Sequence, residues 1–234
     1  MKIIAQNLET IRARITAAAE KAGRNPEEIK LVAVSKFFPA DAIIEAFHAG
    51  QTIFGENYIQ EVQAKRDLVP PEVKFHFIGH LQSNKTKTAA ATCNMIETVD
   101  SYKIGKALHT HLEALNRTID VLVQVNIGDD TNKAGVKEDE AEELLTRLQD
   151  FSRIRICGLM TMPPFVADPE LSRPHFRNLR RLAERLSKKK MFAESMKPEL
   201  SMGMSSDFHI AIEEGATIVR VGTAIFGHRA VTTK

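Results

Sequence analysis

The sequence predicts an α/β fold, a single (β/α)8 TIM barrel with an extra helix at its N-terminus. Short β-branched runs alternate with longer amphipathic stretches, which implies parallel strands joined by crossover helices. The strand-like runs number eight. Several of them, such as Leu31–Val34 and Val121–Val125, are nearly continuous apolar runs, as strands covered on both faces should be. Eight such units favour closure into a barrel over an open doubly wound sheet. The 234 residues also suit a fold that usually takes about 250.

In chain order, an opening helix runs over about Ile3–Ala22, and the first strand is Lys30–Ser35. A helix over Ala40–Ala49 leads to a strand at Gln51–Gly55, and a helix over Asn57–Asp67 leads to Lys74–Gly79. The strand Asn94–Val99 precedes a helix at Ser101–Leu115, where Ser101 has the residue type of an N-cap. Ile119–Asn126 is the fifth strand and Lys137–Leu148 the helix after it. Ile154–Met160 is followed by a helix over Pro174–Lys188. Pro198–Met202 is short and opens with proline, which makes it the weakest strand pattern. A helix over Ser205–Glu214 and the strand Thr217–Gly222 complete the series. No linker, low-complexity tract or internal repeat interrupts the chain, so residues 1–234 read as one domain.

Bulk properties narrow the function. Lys and Arg total 32 against 30 for Asp and Glu, a formal charge of +2, so the basic excess of a dedicated nucleic-acid binder is missing. The basic clusters Arg177–Arg181 and Lys188–Lys190 fall in a helical pattern and read as a solvated face. Cys93 and Cys157 are far apart and form no C-x-x-C pair, so neither a zinc site nor a disulfide framework is expected. Cys157 lies in the apolar run Ile154–Met160 and reads as a small core residue. The first nine residues carry no signal-peptide core. No run of about 18 apolar residues reaches membrane-span length. A cytoplasmic protein, with no membrane and no nucleic-acid partner, is the expectation.

In such a barrel the functional groups collect where strands end and helices begin. Lys36 directly follows Leu31-Val32-Ala33-Val34-Ser35, and alternation puts it on the face of Val32 and Val34. Apolar walls would desolvate its ammonium and free a nucleophilic amine; a lysine snorkelling to solvent is the plainer alternative. Ser201-Met202-Gly203-Met204-Ser205-Ser206 closes the seventh strand. It offers glycine backbone and hydroxyls at a helix start, which suits a phosphate, although Ser205 or Ser206 also fits a simple N-cap. Gly222-Thr223, after the eighth strand, can present amides to the same phosphate. Arg220 alternates with Val219 and Val221, and a purely structural arginine there would need a carboxylate in or near the barrel. An amine opposite a phosphate nest suits a phosphorylated carbonyl compound. Two chemistries fit: a pyridoxal-phosphate site, or an aldolase forming a Schiff base with a sugar phosphate.

Longer motifs separate these. Leu31-Val32-Ala33-Val34-Ser35-Lys36, Phe54-Gly55-Glu56-Asn57-Tyr58, the segment His76-Phe77-Ile78-Gly79-His80-Leu81-Gln82-Ser83-Asn84-Lys85, Gly158-Leu159-Met160, and Ser201-Met202-Gly203-Met204-Ser205 through Gly222-Thr223-Ala224-Ile225-Phe226-Gly227 occur in the order of the pyridoxal phosphate homeostasis protein family. The chain resembles this YggS-like, proline synthetase co-transcribed group from the opening helix to about Arg229. The resemblance implies a barrel similar to the N-terminal domain of alanine racemase, and pyridoxal 5'-phosphate (PLP) carried as a Schiff base on Lys36. It also implies phosphate contacts from Ser201 or Ser205 and from Gly222 and Thr223, Arg220 at the pyridine nitrogen, and Asn57 near the ring. Two departures stand out: Phe37-Phe38 where relatives are often polar, and His80 where proline is common.

The resemblance further implies a role in intracellular PLP (vitamin B6) and amino-acid homeostasis without robust catalysis, with PLP-dependent apoenzymes as acceptors. An arginine at the pyridine nitrogen keeps it unprotonated and makes the ring a poorer electron sink. Racemases of this fold draw a catalytic tyrosine from a second domain, whereas Tyr58 and Tyr102 are the two tyrosines here. Tyr58 reads as a packing residue more readily than as a base. A slow PLP-dependent, racemase-like enzyme is the alternative, and a monomer is expected.

Overall fold

A computed structural model of the chain describes residues 2–128, 134–164, 166–193 and 197–227. The first element is the helix α1 (Lys2–Lys21). It turns Leu8, Ile11, Ile15, Ala18 and Ala19 inward, a spacing that keeps one stripe on one face of a 3.6-residue helix.

The barrel strands are β1 (Lys30–Val34), β2 (Ile53–Glu56), β3 (Lys74–Phe77), β4 (Met95–Val99) and β5 (Ile119–Asn126), then β7 (Ile154–Met160), β8 (Glu199–Ser201) and β9 (Ile218–Val221). Every neighbouring pair is parallel, and the ring closes through β4 on β5 and β1 on β9. This is the eight-stranded closed barrel that the alternating runs predict. β6 (Val136–Lys137) lies outside the ring and extends β5 at Val125 and Asn126. The proline-led seventh strand is present but reduced to three residues.

Between the strands lie α2 (Ala40–His48), α3 (Ile59–Arg66), α4 (Thr86–Thr92), α5 (Tyr102–Ala114), α6 (Ala141–Leu148), α7 (Arg173–Lys188), α8 (Phe208–Glu213) and α9 (Thr223–Phe226). Ser101 holds the N-cap position of α5, but its side chain makes no capping bond. Asp207, rather than Ser205 or Ser206, stands at the N-cap of α8, and its carboxylate accepts from the Met204 amide.

The core has two layers. The larger fills the space between barrel and helices and includes Leu31, Ala33, Phe54, Phe75, Phe77, Val219 and Val221. The smaller lies inside the barrel, where Val32, Met95, Leu122, Cys157, Met160 and Ile218 meet from strands around the ring. Strand alternation produces this division, so Arg220 shares the interior face with Ile218. α1 crosses α8, α9 and α2 and is tied by Asn7 to the Ile225 carbonyl and by Arg12 to the Ala49 carbonyl. It thereby braces the same side of the barrel that carries Lys36 and Gly222.

The basic clusters have acidic neighbours: Arg177 and Arg180 pair with Glu214, and Lys189 bonds Glu142. Cys93 and Cys157 are both buried and free, and burial pushes each thiol up to about 12. Among the described residues no helix is long and apolar enough to cross a membrane.

Candidate functional site

The expected site residues gather at one end of the barrel, because the strands that carry them are neighbours. β1 pairs with β2 on one side and β9 on the other, with Val34 opposite Gly55 and Ala33 opposite Val221. Lys36 follows β1, so Asn57 after β2 flanks it on one side and Gly222 after β9 on the other. Gly222 lies so close that a Cβ there would stand 3.2 Å from both Cβ and the carbonyl oxygen of Val34. Lys36 and Asn57 are half-buried, and Thr223 is exposed at the rim. Ser205 is half-buried in the turn after β8.

The turn at Lys36 is unusual. Phe37 has φ 67°, a left-handed conformation that costs a bulky L-residue about 1–3 kcal/mol. Phe37 is half exposed and sets its ring against Tyr58 at 5.5 Å, while Phe38 packs on Phe226 at 5.1 Å. The aromatic flank of Lys36 thus forms an apolar lip on one side and anchors to α9 on the other.

Inside the barrel, below this rim, lies a buried polar layer. Arg220 donates to Ser201 Oγ and, at 2.9 Å, to the Thr161 carbonyl. Ser201 donates to Glu97 Oε2, and Glu97 Oε1 pairs with His76 Nδ1 at 2.7 Å. All four residues are buried. Burial pushes the Glu97 carboxyl up, but the His76 bond and charge, Arg220 and Ser201 more than reverse this and hold it below the usual carboxylate range. Burial draws the Arg220 guanidinium down, with the Glu97 and Asp207 charges opposing. Arg220 therefore has a carboxylate counter-charge, reached through Ser201. The Ser201 proton goes to Glu97, so this hydroxyl faces the barrel axis as part of the Arg220 support.

On the outer face of β1 and β2, Ser35 donates to Glu56 Oε1 at 2.7 Å, and Lys65 of α3 bonds the same oxygen at 2.8 Å. Burial pushes the Glu56 carboxyl up to about 7, with the Lys65 and Ser35 hydrogen bonds pulling the other way.

Asn57 lines a cavity of about 400 Å³ together with Tyr58, Gly79, His80, Gln82 and Lys85. Gly79 is required there: a Cβ at this position would sit 2.1 Å from the Asn57 carbonyl oxygen. His80 is exposed at the rim, 3.6 Å from Asp100. A larger cavity of about 790 Å³ opens at the other end of the barrel, near Arg24, Lys197 and the start of β9. Its lining mixes charges of both signs, and the strand-end motifs lie away from it.

Sequence reasoning did not single out Glu97, His76, Glu56 or Lys65. For His76 a signal existed, since alternation with Phe75 and Phe77 turns it inward.

Known proteins resemble the chain over nearly its whole length. The alanine racemase N-terminal domain family matches residues 6–230. The pyridoxal phosphate homeostasis protein of Escherichia coli is 40% identical, covering 100% of each chain. That of Schizosaccharomyces pombe is 42% identical over 98% of this chain and 94% of its own. The chain belongs to the pyridoxal phosphate homeostasis protein family. A solved member of similar length, PipY of Synechococcus elongatus, superposes with a TM-score of 0.85 at 36% identity, covering 96% of this chain and 100% of PipY. PipY is known both without PLP and with PLP bound. Alanine racemase of Clostridium difficile shares the fold at a TM-score of 0.72 and 16% identity; this family member spans 58% of the racemase's length. Membership accounts for the order of the long motifs, each of which falls at a strand end around the same rim.

Proposed function

We propose that this protein holds PLP as a Schiff base on Lys36 and serves PLP and amino-acid homeostasis rather than rapid catalysis. The observation that carries the reading is the gathering of Lys36, Asn57 and Gly222 at one rim of the barrel, above the buried Arg220 of β9, the strand beside that of Lys36. A guanidinium inside the barrel, an amine at its rim and a glycine turn pressed against Val34 form a donor set that fits a phosphorylated pyridine aldehyde. The cofactor would supply an aldehyde for covalent capture and an aromatic ring for electron withdrawal.

The residues take distinct tasks in this reading. Lys36 would supply the amine that holds the cofactor through its aldehyde, with water as the only product released. Backbone amides at Gly222 and Thr223, with the Ser205 turn, receive the phosphate, since the first amides of a helical turn have no acceptor of their own. Arg220 would hold the pyridine nitrogen and keep a proton off it, because a second positive charge nearby is disfavoured. Asn57 lines the ring edge. Both tyrosines are engaged in packing, Tyr58 with Phe37 and Tyr102 with Phe151 and Arg147, which supports a holding role over proton transfer. A cytoplasmic monomer of one domain over residues 1–234, passing PLP to apoenzymes that depend on it, belongs to the same proposal.

Titration with PLP tests it. Wild type should develop the absorbance of a covalently bound cofactor and Lys36→Ala should not. With saturated protein, α-proton exchange on a panel of amino acids should run no faster than with free PLP. Exchange well above that background would favour a slow racemase-like enzyme.

A further inference from the structure

Lys36 lies between two backbone groups that are held by one cluster of charged side chains. The Ser35 carbonyl accepts from Lys65 Nζ at 3.1 Å, and the Phe37 amide donates to Glu61 Oε2 at 2.8 Å. Lys65 also bonds Glu56 Oε1 at 2.8 Å and Glu61 Oε2 at 2.6 Å, while Ser35 Oγ donates to Glu56 at 2.7 Å. A lysine ammonium has three donors, and all three point at this turn or at the carboxylates that grip it.

We propose that Glu56, Glu61 and Lys65 are positioning residues that fix the direction of the Lys36 side chain by clamping the backbone on both sides of it. The inference rests on the reading that Lys36 carries the cofactor.

Two features favour positioning over a general tie between α3 and the barrel. First, α3 already docks through Ile59 and Val62, which are buried in the main core. Buried ion clusters are weak sources of stability compared with apolar packing, and in some proteins they serve to fix one conformation instead. Second, the clamp is applied where the backbone most needs it. Phe37 sits at φ 67°, a conformation its side chain disfavours, and its amide is the one bonded to Glu61. Released from that bond, the turn relaxes toward ordinary φ values and swings the Lys36 stem away from Gly222. Covalent capture depends on holding the amine in line with the aldehyde, and misplacement by about 1 Å can cost about 100-fold in rate.

The experiment follows the rate of covalent adduct formation with PLP, across pH, in intact wild type, Glu61→Ala, Glu61→Gln and Ser35→Ala. Glu61→Ala should form the adduct about 10- to 100-fold more slowly, with a displaced pH profile. Glu61→Gln keeps an acceptor for the Phe37 amide and should recover much of the rate, which loss of general stability would not produce. Ser35→Ala removes one hydroxyl and should also slow capture; it carries the test if Glu61→Ala does not fold. Wild-type rates and pH profile in the variants would overturn the positioning role and leave the carrier reading intact. A wild type that forms no adduct would sink both.

Discussion

Arg220 donates a hydrogen bond to Ser201 Oγ in the barrel interior, and the Ser201 hydroxyl donates one in turn to Glu97. A single hydroxyl thus bridges a buried cation and a buried anion on opposite parts of the ring. Ser201→Ala leaves an Arg220 N–H and a Glu97 oxygen each short of a partner. The expected cost is about 1–3 kcal/mol, read by urea unfolding, with a change in the bound-cofactor spectrum as Arg220 shifts.

Glu97 also makes an acid-side prediction. Its carboxyl is held below the usual range, with burial opposing and His76, Arg220 and Ser201 dominating. Such a group contributes stability above its unfolded pKa and loses it as pH falls through the folded one. Glu97→Gln should therefore cost roughly 3–5 kcal/mol near neutral pH, by stranding Arg220 and His76. It should also flatten the loss of stability below the ordinary carboxylate range. Unfolding free energies across a pH series check both.

Glu56 predicts the opposite slope. Burial raises its carboxyl to about 7, so its contribution is fullest below the ordinary carboxylate range and is lost as pH rises through about 7. In Glu56→Gln this slope should vanish, so the variant gains on wild type between mildly acidic and mildly alkaline pH. An unchanged slope in the same unfolding series would contradict the assignment.

Much of this was legible in the residues, for a specific reason. A strand buried on both faces still alternates, so Leu31-Val32-Ala33-Val34-Ser35-Lys36 and Val219-Arg220-Val221 declare which side chains face the axis. What alternation cannot declare is pairing across the ring. Glu97 lies 104 positions from Ser201, and Ile96-Glu97-Thr98 read simply as part of a strand until β4 and β8 faced each other. Glu56 and Lys65 were hidden similarly, Glu56 within a motif read for Asn57 and Lys65 within a helix read only for its place between two strands. α4 went unnoticed because Thr86–Thr92 is a run of small residues without a broad apolar stripe. β6 is two residues long and gives no periodicity to read. Ser101 had the residue type of a cap and holds the cap position, but its side chain makes no capping bond.

Gly79 gives a prediction that couples fold to site. A Cβ at this position meets the Asn57 carbonyl oxygen at 2.1 Å and its carbonyl carbon at 2.7 Å, so backbone must move. Gly79→Ala should cost about 2 kcal/mol or more and should weaken PLP binding at the same time. Thermal unfolding and a binding titration on one preparation test the coupling. Lost stability with unaltered affinity would place Asn57 away from the cofactor.

The most direct test of the central claim is to saturate the protein with PLP, reduce it with borohydride, digest it and weigh the peptides. The account predicts one stable cofactor adduct, on the peptide containing Lys36. An adduct on another lysine, or none after reduction, would contradict it.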